Sequence, residues 1–177
     1  MDISQISTQL SPTPKAFPNC CLSISRTLTS HLASLLPKKP SFTVSIGSGS
    51  GLLEALISHR HSDVLIEGVE VNSTVNRYIL EPDMNVVHGT WDLHPRVREA
   101  AAWMFVYPRE PKLVSKYLET FSADEVEIIV WLGPRADWVD YEPCFRASMF
   151  SDVQVYEDVG VAGFEMLVVM RKSDGVV

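Results

Sequence analysis

Apolar positions along the chain alternate between two spacings, one typical of helices and the other of strands. Residues 22–36 place apolar side chains near helical spacing and end at "PKKPS", which predicts an amphipathic helix. Residues 42–46 then alternate as in a strand, and residues 52–57 return to helical spacing. Glycines separate these last two segments, so the pattern predicts a strand, a glycine-rich turn and a helix.

Strand-like runs recur through the rest of the chain, separated by helix-like segments. The segment "NSTVNRYIL", residues 72–80, opens with residues that cap helices, and residues 110–121 place Pro111 in the first turn of a predicted helix. A broken helical stretch follows at residues 136–150. The other predicted strands cover residues 64–71, 85–90, 102–108, 126–133, 152–159 and 164–172, and no helix separates the last two.

Alternating strands and helices predict a parallel sheet with helices on both faces, because parallel neighbours need crossover connections. The predicted fold is therefore α/β, a three-layer sandwich around a mostly parallel seven-stranded sheet with an antiparallel C-terminal hairpin strand. That hairpin departs from the usual dinucleotide-binding pattern. Sheets of this kind bind ligands at the carboxyl ends of their strands.

Composition limits the chain to one ordinary domain. Its 177 residues are 46% hydrophobic and 21% charged, which suffices for one core and leaves no space for a second. We expect a polar, flexible N-terminus over residues 1–17 and a single domain over residues 18–177. Residues 1–20 lack the apolar run of a secretory signal, and no run of about 18 apolar residues occurs, so we expect a cytoplasmic protein with no membrane partner.

Cysteine spacing and net charge narrow the partners further. Cys20 and Cys21 are adjacent and Cys144 stands alone, which predicts reduced thiols and neither a disulfide framework nor a zinc site. His59 and His61 point in different directions on the predicted helix, so no metal site is expected. The net charge of −7 argues against a nucleic-acid partner, since that affinity comes largely from Lys and Arg.

Three glycines at alternate positions follow the first predicted strand, at residues 47–51. Glycine permits a tight turn and lets a ligand approach the backbone closely. A P-loop would have lysine after the last glycine, and the dinucleotide fingerprint would have a glycine three residues after Gly49, but Leu52 occupies both positions. The segment is either a ligand-binding turn of another kind or an ordinary turn.

The order of these features resembles that of the class I S-adenosylmethionine (SAM)-dependent methyltransferases. The first motif of that family is an acidic residue followed by x-G-x-G-x-G at the end of the first strand, and residues 45–51 read Ser-Ile-Gly-Ser-Gly-Ser-Gly. Glu70 matches the acidic residue that ends the family's second strand and binds both ribose hydroxyls. The final hairpin matches the family's reversed last strand, so the resemblance covers roughly residues 40–172.

The resemblance implies SAM as the cofactor. The residues that it places at the cofactor are Ser45, Gly47, Ser48, Gly49, Gly51, Glu70, Val71, Thr90 and Trp91. Two of them depart from the family's pattern. Ser45 replaces the acid whose charge helps to orient the amino group of the cofactor's methionine portion, and Thr90 replaces an aspartate that is common after the third strand.

Tyr107, after the fourth predicted strand, is the candidate catalytic residue. Residues 106–109 read Val-Tyr-Pro-Arg, where amino-methylating members often carry Asn/Asp-Pro-Pro-Tyr. The resemblance thus implies a methyltransferase acting on a small molecule, for example by O-methylation of a metabolite, and a homodimer or partner subunit that helps to cover the acceptor. The alternative is a protein of this fold that binds SAM or S-adenosylhomocysteine (SAH) without transferring methyl, as a regulatory subunit or as an enzyme of another reaction.

Overall fold

The computed structural model describes residues 1–174, and the last three residues of the expected domain lie outside the described residues. The α-helices are α1 (Ile3–Thr8), α2 (Arg26–Leu35), α3 (Leu52–Arg60), α4 (Pro111–Phe121) and α5 (Trp138–Arg146). The strands are β1 (Thr43–Ile46), β2 (Ile66–Glu70), β3 (Met84–Val86), β4 (Ala102–Val106), β5 (Ile128–Pro134), β6 (Asp152–Tyr156) and β7 (Glu165–Arg171).

The strands form one seven-stranded sheet in the order β3-β2-β1-β4-β5-β7-β6. Strands β1 to β5 run parallel, whereas β7 is antiparallel to both β5 and β6. The predicted mostly parallel sheet with a reversed C-terminal hairpin is confirmed. The strand order reverses between β1 and β4, and the carboxyl ends at such a switch point border the crevice in which α/β sheets bind ligands.

Two apolar cores cover the two faces of the sheet. Helices α1, α2 and α3 pack on one face, where Leu28 and Leu56 are fully buried. Helices α4 and α5 pack on the other, where Phe145 of α5 joins Trp103 of β4 and Trp131 of β5 in the core. Each large side chain buried in this way contributes about 1.5–3 kcal/mol. These two cores make the predicted three-layer sandwich.

Residues 1–17 differ from the expected polar, flexible segment. The Asp2 carboxylate caps the first turn of α1, and Ile6, Leu10 and Phe17 are buried in the core that contains α3. Ile3, Ile6 and Leu10 stand at i, i+3 and i+7, so an amphipathic spacing was present within a segment interpreted from its polar and proline content. Throughout residues 1–174, no helix is long and apolar enough to cross a membrane.

Residues 72–80 form turns where a helix was expected. The Asn76 side chain bonds both backbone groups of Ile79, donating to its carbonyl at 2.7 Å and accepting from its amide at 3.0 Å. Two amides of this loop also donate to the Ser50 carbonyl in the glycine turn. Short polar side chains compete with helical hydrogen bonds in this way. The loop therefore packs against the glycine turn.

Gly160, in the β6–β7 turn, provides a test of how the hairpin meets α2. Its φ is +82°, and a Cβ there would lie 2.4 Å from Ser25 Oγ, the capping atom of α2. We expect Gly160→Ala to lower the free energy of unfolding by about 1–3 kcal/mol, measured by denaturant titration. The control Gly163→Ala adds a Cβ that meets no atom within 4 Å, so it should change little. Equal losses in both variants would contradict the described contact.

Candidate functional site

The glycine turn begins directly after β1 and faces open space. Gly47, Gly49 and Gly51 have φ values of +76°, +58° and +76°, which favour glycine. A Cβ at Gly47 or Gly49 would meet no atom within 4 Å, whereas a Cβ at Gly51 would lie 2.6 Å from Ile79 Cγ1. The first two glycines therefore form an open cradle at the carboxyl end of β1. The third glycine makes room for the loop that follows β2.

Glu70 lies at the edge of this cradle, at the end of β2. Its Oε2 accepts a hydrogen bond from the Gly49 amide at 2.8 Å, and its Oε1 accepts one from the Val71 amide at 3.1 Å. The Val71 side chain is exposed beside it. A carboxylate has lone pairs beyond those two bonds. Glu70 thus fixes the turn, a role absent from the sequence analysis, and retains acceptor sites for a ligand.

Ser45 lies behind the cradle and is fully buried. Its hydroxyl donates to Glu54 Oε1 at 2.6 Å. Glu54, on α3, is 3% exposed, and no basic side chain within residues 1–174 pairs with it. Burial raises the pKa of Glu54 to about 7; the Ser45 hydrogen bond opposes the rise, and nearby Glu70 adds to it. A buried carboxyl of this kind is ionised only in part near neutral pH.

The half-buried Tyr107 and the fully buried Glu165 form a second pair at the same end of the sheet. Tyr107 follows β4 with φ +49°, an uncommon value for a large side chain, and its hydroxyl donates to Glu165 at the start of β7. Glu165 Oε1 also accepts from the Ser23 amide at 3.2 Å. Burial is the main cause that raises the pKa of both groups. Tyr107 therefore remains protonated, and Glu165 is the hydrogen-bond acceptor of the pair.

Cys20 lies near both buried carboxyls. Burial raises the pKa of its thiol to about 12, and the charges of Glu54 and Glu165 add to that rise. The thiol donates to the Leu22 carbonyl at 3.4 Å. All three cysteines are free, and no group of three or more His, Cys, Asp or Glu in the described chain is placed to hold a metal ion. Residues 20–23 thus bring an un-ionised thiol to this end of the sheet.

The other residues implied by the resemblance are Ser48 in the turn itself and Thr90 and Trp91 after β3. The Ser48 hydroxyl is buried close to Gly68, and no hydrogen-bond partner for it occurs among the residues that the structure describes. Thr90 and Trp91 are exposed in the turn after β3, where the Trp91 carbonyl accepts from Lys116 Nζ at 2.6 Å. In the described part of the chain, no hydrogen bond joins Thr90 or Trp91 to the glycine turn.

Sequence reasoning missed Glu54 and Glu165, the two buried carboxyls of the site. The available signal was an acidic residue inside an apolar run, at "LLEAL" for Glu54 and at "FEMLVVM" for Glu165. Buried carboxylates are rare unless they are paired or functional. That signal does not say which face of the helix or strand carries the acid, so it could not place either residue at the site.

Solved structures share this fold. Precorrin-6y C5,15-methyltransferase from Geobacter metallireducens is similar with a TM-score of 0.64 at 11% identity, over 93% of this chain and 100% of that chain. The methyltransferase domain of bacterial CtHen1-C has a TM-score of 0.60 at 15% identity, over 84% and 96%. The 16S rRNA N2 methyltransferase RsmC of T. Thermophilus, in complex with AdoMet and guanosine, has 0.56 at 13%, over 93% and 47%.

These likenesses establish the fold and nothing finer, because the sequence identities are low. No protein-family model and no curated protein sequence matches the chain. The sheet order, the reversed β7 and the position of the glycine turn are those expected of the class I methyltransferase fold, so the resemblance is confirmed at the level of fold. The roles of individual residues remain predictions.

The raised pKa of Glu54 makes the stability of the ligand-free protein depend on pH. Between pH 4.5 and about 7 the folded state holds a proton that the unfolded state has lost, so stability falls as pH rises through this window. Glu54→Gln removes the ionisable group, so the variant should not lose stability in this way as the pH rises. At a pH above this window we expect the variant to be more stable than the wild type by about 3 kcal/mol, and below it to be equally stable.

Thermal unfolding across the pH range measures this difference, and Glu119→Gln is the matched control. Glu119 is exposed on α4, so the same loss of formal charge there should leave the pH profile of the wild type intact. A Glu54→Gln variant less stable than the wild type above neutral pH would mean that the ionised carboxylate is stabilised by its surroundings.

Proposed function

We propose that this chain is a SAM-dependent methyltransferase that acts on a small molecule. The observation that carries the proposal is the open cradle of Gly47 and Gly49 with the Glu70 carboxylate at its edge. Backbone without side chains admits a ligand closely, and an ionised carboxylate accepts the two hydroxyls of a ribose. This cradle lies at the carboxyl end of β1, beside the switch in strand order, where such sheets bind ligands.

Each residue implied at the cofactor has a part in this proposal. The turn of Gly47, Ser48, Gly49 and Gly51 holds the methionine portion, Glu70 holds the ribose, and Val71, Thr90 and Trp91 border the adenine. Ser45 acts from behind the turn, because its hydroxyl is taken by Glu54. When bound, SAM supplies a methyl group already activated on a sulfonium. The chain then needs only to align a nucleophile and exclude water.

Tyr107 and Glu165 support an acceptor that carries a hydroxyl group. They lie at the carboxyl ends of β4 and β5, since Glu165 is paired across the sheet with Pro134. The raised pKa of Glu165 makes its carboxylate a stronger base than an ordinary one. In this proposal Tyr107 orients the acceptor and Glu165 takes its proton, so the product is an O-methylated small molecule.

Charge favours a small acceptor over RNA, although RsmC shows that this fold also serves enzymes of rRNA. The chain carries a net charge of −7, and the carboxyls of Glu54 and Glu70 lie next to the glycine turn, with that of Glu165 at the same end of the sheet. A phosphate backbone needs a basic surface. We further propose that the protein acts in the cytoplasm, in keeping with its free cysteines, and that a second subunit helps to cover the acceptor.

One observation favours the alternative of binding without methyl transfer. Tyr107 and Glu165 are bonded to each other, and Glu165 also accepts from the Ser23 amide. A pair satisfied in this way has little hydrogen-bonding capacity left for an acceptor. The alternative therefore shares the cradle and Glu70 with the methyltransferase proposal, and differs from it only in the transfer of methyl.

Calorimetric titration of the purified chain with SAM and with SAH tests the binding half of the proposal. We expect both to bind, because the cradle and Glu70 address parts that the two molecules share. Gly49→Val should abolish binding, since a branched side chain fills the cradle and resists a φ of +58°. Gly163→Val, at the β6–β7 turn where a Cβ also meets open space, is the control that should bind as the wild type does.

Transfer is tested with SAM that carries a labelled methyl group. The chain is incubated with a low-molecular-weight cell extract and, separately, with total RNA, and label is followed by chromatography and precipitation. We expect label in a small molecule and none in RNA. Label in RNA would show that the acceptor is RNA and not a small molecule. Cofactor binding with no label in either fraction would favour the non-methylating alternative.

A further inference from the structure

A buried carboxyl without a basic partner lies directly behind the glycine cradle. Glu54 reaches back from α3 to Ser45 at the carboxyl end of β1, two residues before Gly47. Its neighbours among the described residues are the Ser45 hydroxyl, the Cys20 thiol and the Glu70 carboxylate. None of these supplies a positive charge. A neutral side chain of the same size would fill this space at lower cost.

The orientation of a bound cofactor would bring a cation to this place. Glu70 takes the ribose at the end of β2, and its bond to the Gly49 amide sets that end of the cradle. With the ribose at the Gly49 end, the amino-acid portion would lie at the Gly47 end of the cradle, which follows Ser45 by two residues and so borders the buried Ser45–Glu54 pair. That portion carries a protonated amino group. A buried carboxyl with a raised pKa and no basic partner, next to a candidate ligand site, is a common mark of function.

We propose that Glu54, held in place by Ser45, provides the negative charge that binds the amino group of SAM and SAH. This inference rests on the proposed function. In the family's first motif the negative charge lies on an acidic residue of the strand, where this chain has Ser45. In this chain the charge lies instead on Glu54 of α3, and the Ser45 hydroxyl holds that carboxyl close to the turn. Ser45 is then a positioning residue and Glu54 a cofactor-binding one.

The experiment compares SAH with 5′-methylthioadenosine, which retains the adenosine portion and lacks the amino acid. We expect Glu54→Gln to weaken SAH binding about tenfold and to leave the binding of methylthioadenosine unchanged. Glu70→Gln, which removes the charge and one of the two acceptor oxygens at the ribose, should weaken both ligands. The exposed Glu119→Gln should weaken neither. A role for Glu54 in folding alone would not separate the two ligands.

The wild-type chain gives the same comparison without a substitution. Lowering the pH from about 8 to about 6 protonates Glu54, so SAH should bind more weakly while methylthioadenosine does not. The other ionisable groups that face Glu54 are Glu70 and Cys20; Glu70 faces the part common to both ligands, and the Cys20 thiol is neutral throughout this range. A double variant, Ser45→Asp with Glu54→Gln, should restore SAH binding by returning the charge to the strand.

Three outcomes would overturn the inference, and the third differs from the other two in also overturning the proposed function. Wild-type protein that binds both ligands while Glu54→Gln binds SAH equally well would overturn the role of Glu54 and leave the proposed function standing. Equal weakening of both ligands by Glu54→Gln would likewise make it a structural residue. Folded wild-type protein that binds neither ligand would overturn the proposed function, and the inference with it.

Discussion

The hydrogen bond between the Gly49 amide and the Glu70 carboxylate is the interaction on which the candidate site depends. It joins the turn after β1 to the end of β2, two places that are 21 residues apart in the chain. The same glycine turn leads directly into α3, and its Ser50 carbonyl accepts hydrogen bonds from two amides in the loop of residues 72–80. Without this bond, the three positive-φ glycines would be tied to β2 only through the Gly47 and Ser48 amides, which donate to the Val69 carbonyl. With it, they form a surface of fixed shape open to a ligand.

Charge placement at this end of the sheet works against the stability of the empty protein. Glu54 and Glu165 are both buried, and their hydrogen bonds come from neutral donors. Neutral donors offset only part of the cost of removing a carboxylate from water. The burial of apolar side chains in the two cores offsets this cost. Such local conflict within an otherwise consistent fold is expected at functional sites.

Periodicity was sufficient to predict the sheet, because each strand has a local apolar run and each crossover a helical one. The glycine turn and Glu70 were also predictable, since both lie next to strands in the sequence. Glu54 and Glu165 were not, because their roles depend on how α3 packs behind β1 and on how Tyr107, after β4, reaches β7 past the intervening β5. Residues 72–80 were misjudged for a related reason. Their polar side chains are typical of a helix start. The Asn76 side chain instead bonds the backbone of Ile79, and the loop amides donate to the Ser50 carbonyl of the glycine turn, so no helix forms.

Ile79 occupies the space in which two glycines would otherwise carry a side chain. A Cβ at Gly51 would lie 2.6 Å from its Cγ1, and a Cβ at Gly68 would lie 2.9 Å from its Cδ1. One bulky residue therefore ties together a helix start, the middle of β2 and a loop. Over evolutionary time these three positions are not independent: a larger residue at 51 or 68 requires a smaller one at 79, and at 68 it also requires that Ser48 and Met84, whose atoms lie 2.5 and 2.8 Å from the added Cβ, give way. Divergent relatives of this chain should show the three positions varying together.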